Sequence, residues 1–461
     1  MTTLDLRAPA RPEPLAWHAR ETLGLAAPII VSRSALLVMT AVDAAMSGWA
    51  GADDLAAFGL GIAPQLTLQM IAIGFLQAVP ILVAQAIGRG EQKRAGAVLR
   101  AGLFYAVLLG LQAIALSLAG EWFFRALGQP EAVVGAAASI SLVFALGMPG
   151  MLLFVACNMF LEATGRAKTG MAVMILVASI DLPLNAIFVL GWGGFSEPLG
   201  AIGAVATSSL MRTVAFAIAF AVLIRWESRL GDPRGVLEAL THWRFRAYFR
   251  RIRRIGVPMG LAQGVESAAF SALVFLGGMI STDALAAHQA TLTLLSLLYM
   301  SAVGIGAATA IRVGHAVGRG SSADLRLAGL SGILLAGAVA LPFALILGFA
   351  PAAVAALFGL EGDALLLTKA TIAVAGLVVV FDAMMGASLG ALRGAGDVWT
   401  SFAIQAGAFW LSAVPLAAFL GLHLGLGAPG LVYGILSGVT ISFVLLAWRF
   451  SVISRRAVRR I

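Results

Sequence analysis

The sequence Leu285-Ala286-Ala287-His288 repeats Leu55-Ala56-Ala57-Phe58 at an offset of 230 residues. At the same offset, Val317-Gly318-Arg319-Gly320 repeats Ile87-Gly88-Arg89-Gly90. A fixed offset maintained over such a distance indicates an internal duplication. We therefore expect two homologous halves of about 230 residues each, taking up nearly the whole chain.

The composition excludes a soluble protein. Of the 461 residues, 60% are hydrophobic and only 11% are charged, whereas soluble domains average about 25% charged residues. Apolar runs long enough to cross a bilayer as helices recur along the whole chain. The sequence predicts an all-α polytopic membrane protein.

The apolar runs predict twelve transmembrane helices, six in each half. An even number places both halves in the membrane in the same orientation, which predicts two six-helix lobes related by a pseudo-two-fold axis along the membrane normal, with substrate held between them. We assign residues 1–235 to an N-terminal lobe and 236–461 to a C-terminal lobe that begins with a cytoplasmic linker. The predicted helices run approximately over Leu23–Gly48, Leu55–Ile87, Ala95–Leu118, Ala132–Leu161, Thr169–Leu190, Leu199–Arg225, Ile255–Ile280, Leu285–Ile311, Leu325–Phe349, Leu365–Leu392, Ser401–Leu420 and Gly430–Phe450.

The distribution of basic residues predicts the topology. With both termini in the cytoplasm, only Arg125 and Lys369 of the 31 Lys and Arg residues fall on the outer side, and Arg33 and Arg212 fall within spans. This asymmetry follows the positive-inside rule. The net charge of +9 therefore indicates topology and contact with membrane lipids, and we expect no binding to nucleic acid.

Two acids lie deep in the predicted spans of the second half. At about 1.5 Å per residue, Glu266 lies roughly 18 Å and Asp382 roughly 15 Å from the cytoplasmic ends of their helices. Two carboxylates in one membrane layer resist simultaneous ionisation, so one holds a proton or a cation lies between them. We predict a coupling-ion site here, with Na⁺ held by both acids as one alternative. The other alternative is a hydrogen-bonded acid that only ties two helices together.

A second polar site is predicted in the first half, independent of the second lobe. Asp181 and Asn185 are four residues apart on one helix and share a face. Asp43 lies further out, roughly 30 Å along the first helix, where the outer headgroups offer an alternative, solvated environment. Arg212 lies mid-span and needs a partner such as Asp181 or Glu162.

An enzyme is not expected. The five histidines do not lie at ligand spacing from acids, and no HExxH motif is present. We expect no cofactor other than the coupling ion.

Several motifs, taken together and in order, resemble the multidrug and toxic compound extrusion (MATE) family, in particular its NorM-like bacterial branch. The resemblance covers nearly the whole chain after residue 20. The motifs are Pro28 with Asp43–Gly48, Ala84–Gly88, Glu266 ahead of Leu285–Gln289, and Phe381-Asp382 followed by Leu392–Gly394 and Asp397.

The resemblance implies a multidrug efflux antiporter of the bacterial inner membrane. Such a protein exchanges H⁺ or Na⁺ for organic, often cationic, amphipathic small molecules, and we expect it to act as a monomer. In that family, acids at the positions of Glu266 and Asp382 are associated with cation coupling, and an acid at the position of Asp43 with protonation in the first lobe. Many relatives have Asn where this chain has Asp181, so the first lobe here gains a titratable group.

Other transport and enzyme functions are less well supported. A flippase for a lipid-linked saccharide or related envelope precursor belongs to the same broad superfamily, and it would need a basic cavity for pyrophosphate. A symporter of another parallel-repeat fold and a membrane-embedded enzyme are weaker alternatives.

Overall fold

The computed structural model describes residues 13–194, 197–229 and 246–455, and within these ranges the chain is helical with no β-strand. Twelve helices of the described residues are long and apolar enough to cross a membrane, as the sequence predicts. We number them α1 Leu15–Ala50, α2 Ala52–Gly88, α3 Gln92–Ser117, α4 Glu131–Ala163, α5 Ala167–Leu190, α6 Gly200–Arg229, α7 Arg246–Ile280, α8 Thr282–Arg319, α9 Ser322–Phe349, α10 Gly362–Ala395, α11 Val398–His423 and α12 Ala428–Ile453. Short helices at Gly120–Ala126 and Pro351–Ala356 lie between spans.

Helix α1 begins at Leu15, eight residues before the predicted start at Leu23. The additional turns are stabilised by Arg312 of α8. Its guanidinium lies 5.0 Å from the ring centre of Trp17 and 2.9 Å from Nδ1 of His18. These contacts join residues almost 300 positions apart, so the local sequence did not reveal them.

Helix α7 also begins early, at Arg246 and not near Ile255. The ring of Phe249 packs edge-on against Phe104 of α3, with 5.0 Å between centroids, and its backbone carbonyl accepts a hydrogen bond of 3.2 Å from the Tyr105 hydroxyl. The basic stretch Arg250–Arg254 is therefore helical. The predicted lobe boundary at residues 235 and 236 lies outside the described residues, so the assignment of lobes stays a prediction.

Two helices depart from regular α geometry. Helix α2 is interrupted at Gln77, between segments Ala52–Leu76 and Ala78–Gly88. Helix α11 contains two π-turns, at Phe409–Ala413 and Phe419–His423. Short π-turns within α-helices occur frequently at functional sites.

Glycines allow α8 and α10 to pack closely beside the candidate site. A Cβ added at Gly306 of α8 would lie 2.8 Å from the carbonyl oxygen of Gly386, and one at Gly390 would collide with the carbonyl of Gly306. Small residues at such crossings let the backbones approach. Tyr299 of α8 and Asp382 of α10 lie within two turns of this crossing, on facing helices.

The chain forms two compact units. One comprises residues 31–260, and the other comprises residues 261 onward together with α1 up to Ile30. The two divisions, after Ile30 and after Gly260, are 230 residues apart, which is the offset of the sequence repeat. Each falls two residues after a proline, Pro28 in α1 and Pro258 in α7.

Candidate functional site

In the second half, Glu266 of α7 is a buried carboxylate, with 8% of the residue exposed. It accepts a hydrogen bond at Oε2 from Nε2 of Gln405 on α11, at 2.9 Å. The amide of Gln405 is itself buried. A buried charge requires such compensation, because transfer from water costs several kcal/mol even after relaxation.

Asp382 of α10 is half-buried and close enough to Glu266 to interact with it electrostatically. Arg393, also on α10, interacts with Glu266, and Tyr299 of α8 interacts with all three charged groups. The structure thus brings together the two acids that were selected from their depth in the sequence. Their role in ion coupling stays a prediction.

In the first half, Asp43 of α1 and Asp181 of α5 share two hydrogen-bond donors. Nδ2 of Asn185 lies 3.0 Å from Oδ1 of Asp43 and 3.0 Å from Oδ2 of Asp181. The hydroxyl of Ser208 on α6 lies 2.7 Å and 2.8 Å from the oxygens of Asp43 and 3.2 Å from Oδ1 of Asp181. All four residues are buried. The sequence left a solvated environment open as an alternative for Asp43, but the residue is only 3% exposed because these helices surround it.

These donors cannot satisfy two ionised carboxylates. An amide supplies two hydrogens and a hydroxyl one, while two carboxylates offer four oxygens with about eight lone pairs. Asn185 Oδ1 also has no hydrogen-bond partner within the described residues. The first-half cluster therefore has spare acceptor capacity that a proton or a cation can occupy.

The two intramembrane arginines have different environments. Arg212 of α6 lies 5.1 Å from the ring centre of Phe144 and 3.5 Å from the Thr40 hydroxyl, and it interacts electrostatically with Asp43 and Asp181. Arg33 instead pairs with the buried Glu162 at 3.7 Å. Of the two partners considered for Arg212, Glu162 is therefore bound to the other arginine.

Four residues of these clusters were not identified from the sequence: Gln405, Tyr299, Arg393 and Ser208. Serine and glutamine recur in several of the predicted spans, and the contacts of Ser208 and Gln405 come from distant parts of the chain. Arg393 could have been identified from its spacing. It follows Asp382 by eleven residues, which is close to three full helical turns, so the two residues share a helix face. Tyr299 is one of only four tyrosines in the chain.

Within the described part of the chain, no group of three or more His, Cys, Asp or Glu residues is placed to hold a metal ion. A match to the hydrolase pattern GxSxG, Gly386–Gly390, lies inside α10, where Ser388 Oγ donates to the Met384 carbonyl at 2.8 Å. That pattern serves a nucleophile only at a strand-to-helix turn.

Comparison with known proteins agrees with the fold. The MatE family model matches residues 28–187 and again residues 258–419, so it matches once in each half. A "Probable multidrug resistance protein NorM" of Bradyrhizobium diazoefficiens is 34% identical over 445 residues, covering 95% of this chain and 94% of that protein.

Solved structures share the fold at lower identity. A multidrug resistance MATE family transporter of the MOP superfamily, described as outward-facing, superposes with a TM-score of 0.85 at 21% identity, covering 95% of this chain and 97% of that one. A MOP superfamily transporter from Pyrococcus furiosus, described with a binding pocket of reverse polarity that suggests a different function, gives a TM-score of 0.85, 21% identity and the same coverages.

The protein is a polytopic membrane transporter and not an enzyme. The chain belongs to the MatE family. The all-α, two-lobe architecture that the repeat predicted is confirmed by these structural neighbours.

Proposed function

We propose that the protein is a secondary active multidrug efflux antiporter. It exports organic, often cationic, amphipathic compounds in exchange for H⁺ or Na⁺ by alternating access. The relatives named as multidrug resistance proteins support the substrate class. The observation that supports ion coupling most directly is the pair of the buried Glu266 and the half-buried Asp382, which lie on separate helices within electrostatic range of each other.

Such a pair is suited to binding and releasing a cation. Acids inside a membrane are expensive and usually lie on ion or substrate pathways. When both are ionised they repel each other, and a proton or Na⁺ between them relieves the repulsion. The ion-bound and ion-free forms therefore differ in free energy by enough to bias a conformational equilibrium.

The cycle follows from this difference. On the outer side, the acids take up an ion, which favours release of the drug and the inward-facing state. On the inner side, the ion leaves and the drug binds. One charge moving inward through 100 mV supplies about 2.3 kcal/mol, which corresponds to roughly 50-fold accumulation of an uncharged drug per ion. No cofactor takes part.

The first-half cluster offers a second ion site. Asp43, Asp181 and Asn185 form a hydrogen-bonded set that does not depend on the second half. We propose that Asp43 is protonated during the cycle and that Asp181 adds a second titratable group. The protein acts as a monomer in the bacterial inner membrane, with both termini in the cytoplasm.

A flippase for a lipid-linked saccharide or a related envelope precursor is the alternative. The transporter from Pyrococcus furiosus shares the fold and is described with a different function, so the fold alone does not set the substrate. A pyrophosphate-bearing lipid needs cationic partners, whereas Arg33 is already paired with Glu162 and Arg212 lies beside two acids.

Purified protein in liposomes with a fluorescent organic cation tests the proposal. A pH gradient and an Na⁺ gradient are imposed separately on wild type and Glu266→Gln. We expect one gradient to drive transport in wild type and the mutant to lose that response. Glu131→Gln is the matched control, because Glu131 pairs with Arg125 at an exposed position. Absence of cation transport in wild type under both gradients would refute the proposal and favour the flippase.

A further inference from the structure

The amide of Gln405 on α11 makes a single hydrogen bond within the described residues, to Glu266. Gln405 is 2% exposed, and its Oε1 atom has no partner among the described groups. A buried polar atom without a partner costs about 1–3 kcal/mol. An apolar side chain would pack at this position without that cost.

A π-turn begins on α11 four residues after Gln405. Phe409 begins the π-turn, and its carbonyl accepts from the N–H of Val414, five residues on. Residues five apart on a regular α-helix point about 140° away from each other. Gln405 and Trp410 are five apart, yet the indole of Trp410 donates to the Val265 carbonyl at 3.1 Å while Gln405 reaches Glu266.

A third contact fixes the two helices beside the acid. The ring of Phe409 lies 5.8 Å from that of Phe270, one turn beyond Glu266 on α7. Phe409 is fully buried. Packing therefore holds α11 against α7 on both sides of Glu266, and the Gln405 amide is not needed to join these helices.

Side chains from three helices surround Glu266. Asp382 and Arg393 of α10 and Tyr299 of α8 interact with it, and Gln405 of α11 is the neutral donor. A neutral N–H donor favours the ionised, cation-free form of a carboxylate over the occupied form. The amide of Gln405 donates to Glu266 without changing the net charge of the site.

We infer that Gln405 is a positioning residue for ion coupling, which holds the ionised Glu266 after its cation has left and so sets how readily the cation is released. This inference rests on the proposed antiport function. It assigns a specific task to α11, a helix that contributes no acidic residue to the site.

Removal of the donor should make Glu266 hold its cation more tightly. Gln405→Leu and the nearly isosteric Gln405→Met both remove the N–H. If H⁺ is the coupling ion, we expect the midpoint of the pH profile of transport to move about one unit to higher pH. If Na⁺ is the coupling ion, the half-saturating Na⁺ concentration should fall about tenfold. At a pH where Glu266 is protonated, thermal stability in detergent should change little, because the acid then no longer needs the donor.

A matched control is a buried glutamine that donates to hydroxyl groups and not to an acid. Gln65 is a buried glutamine whose Nε2 donates to Ser117 at 2.6 Å and to Ser141 at 2.9 Å. We expect Gln65→Met to lower thermal stability and to leave the ion dependence unchanged. In the Glu266→Gln background, Gln405→Met should cause no further shift, since the residue acts through Glu266.

The outcomes separate this inference from the proposed function. Absence of gradient-driven transport in wild type would refute the proposed function. Normal transport in wild type, loss in Glu266→Gln, and a wild-type ion dependence in both Gln405 variants would refute the role of Gln405 alone. A loss of thermal stability in both Gln405 variants with no shift in ion dependence would show a structural role and would also refute it.

Discussion

Asp43 of α1 and Asp181 of α5 are joined through one side-chain nitrogen, Nδ2 of Asn185, which lies 3.0 Å from an oxygen of each carboxyl group. The carboxyl groups come from separate helices, and both are buried. Their shared donors leave several carboxylate lone pairs without a hydrogen bond, and the charge of Arg212 also acts on both acids. The first half therefore contains a paired acid site, in addition to the pair in the second half.

Asp181→Asn should lower the number of ions exchanged per substrate molecule. The substitution leaves Asp43 as the single carboxyl group of the cluster, with more donors per oxygen. We expect transport to continue with an ion-to-substrate ratio lower by up to one. Measurement of the substrate gradient that balances a known ion gradient gives this ratio. An unchanged ratio would show that Asp181 keeps one ionisation state through the cycle.

Asn185→Leu should destabilise the fold. Each hydrogen bond to a charged group contributes about 1.5–3 kcal/mol, and this amide donates to two carboxyl groups. We expect a fall in melting temperature of several degrees, measured by thermal unfolding in detergent. The loss should be smaller at low pH, where protonated carboxyl groups no longer need the donors. Equal losses at low and neutral pH would argue that the two acids are not ionised in the folded protein.

The sequence predicted this cluster in part, and the reason lies in the range of the contacts. Asp181 and Asn185 are one helical turn apart, so their shared face follows from the helix period. The partners Asp43 and Ser208 lie on other helices, 142 and 23 residues from Asn185 in the sequence. Only helix packing brings them into contact with Asn185. In the second half, depth along the helix identified Glu266 and Asp382, whereas Gln405 depends on the contact between α7 and α11.

Glu162→Gln should destabilise the protein more than most single substitutions. Glu162 pairs with Arg33 at 3.7 Å and accepts from Nδ2 of Asn158 at 2.8 Å, and it is 2% exposed. The substitution leaves the guanidinium of Arg33, whose side chain is 13% exposed, without its carboxylate, at a cost of roughly 3 kcal/mol.

The double variant Arg33→Met with Glu162→Gln should recover much of that stability, because no unpaired charge remains. Thermal unfolding of the two single variants and the double variant provides the test. Additive losses would contradict a direct ion pair.

His288→Phe should maintain or raise stability. In the sequence repeat, His288 corresponds to Phe58 of the first half, and both side chains are buried. Neither ring nitrogen of His288 has a hydrogen-bond partner within the described residues. Phenylalanine removes two unsatisfied polar atoms, which are worth about 1–3 kcal/mol each. The converse change, Phe58→His, should destabilise. Loss of transport in a stable His288→Phe protein would instead assign His288 a functional role.

The most direct test of ion coupling uses a substrate gradient to drive ion movement, the reverse of the earlier experiment. Liposomes containing the purified protein are loaded with a fluorescent organic cation and diluted, so that the substrate gradient alone is present, while internal pH and radioactive Na⁺ are followed. If exchange is obligatory, as proposed, wild-type protein should move either H⁺ or Na⁺ inward as substrate leaves, and Glu266→Gln should not. Equal ion movement in wild type and Glu266→Gln, or substrate efflux with no ion movement in wild type, would contradict coupling at Glu266.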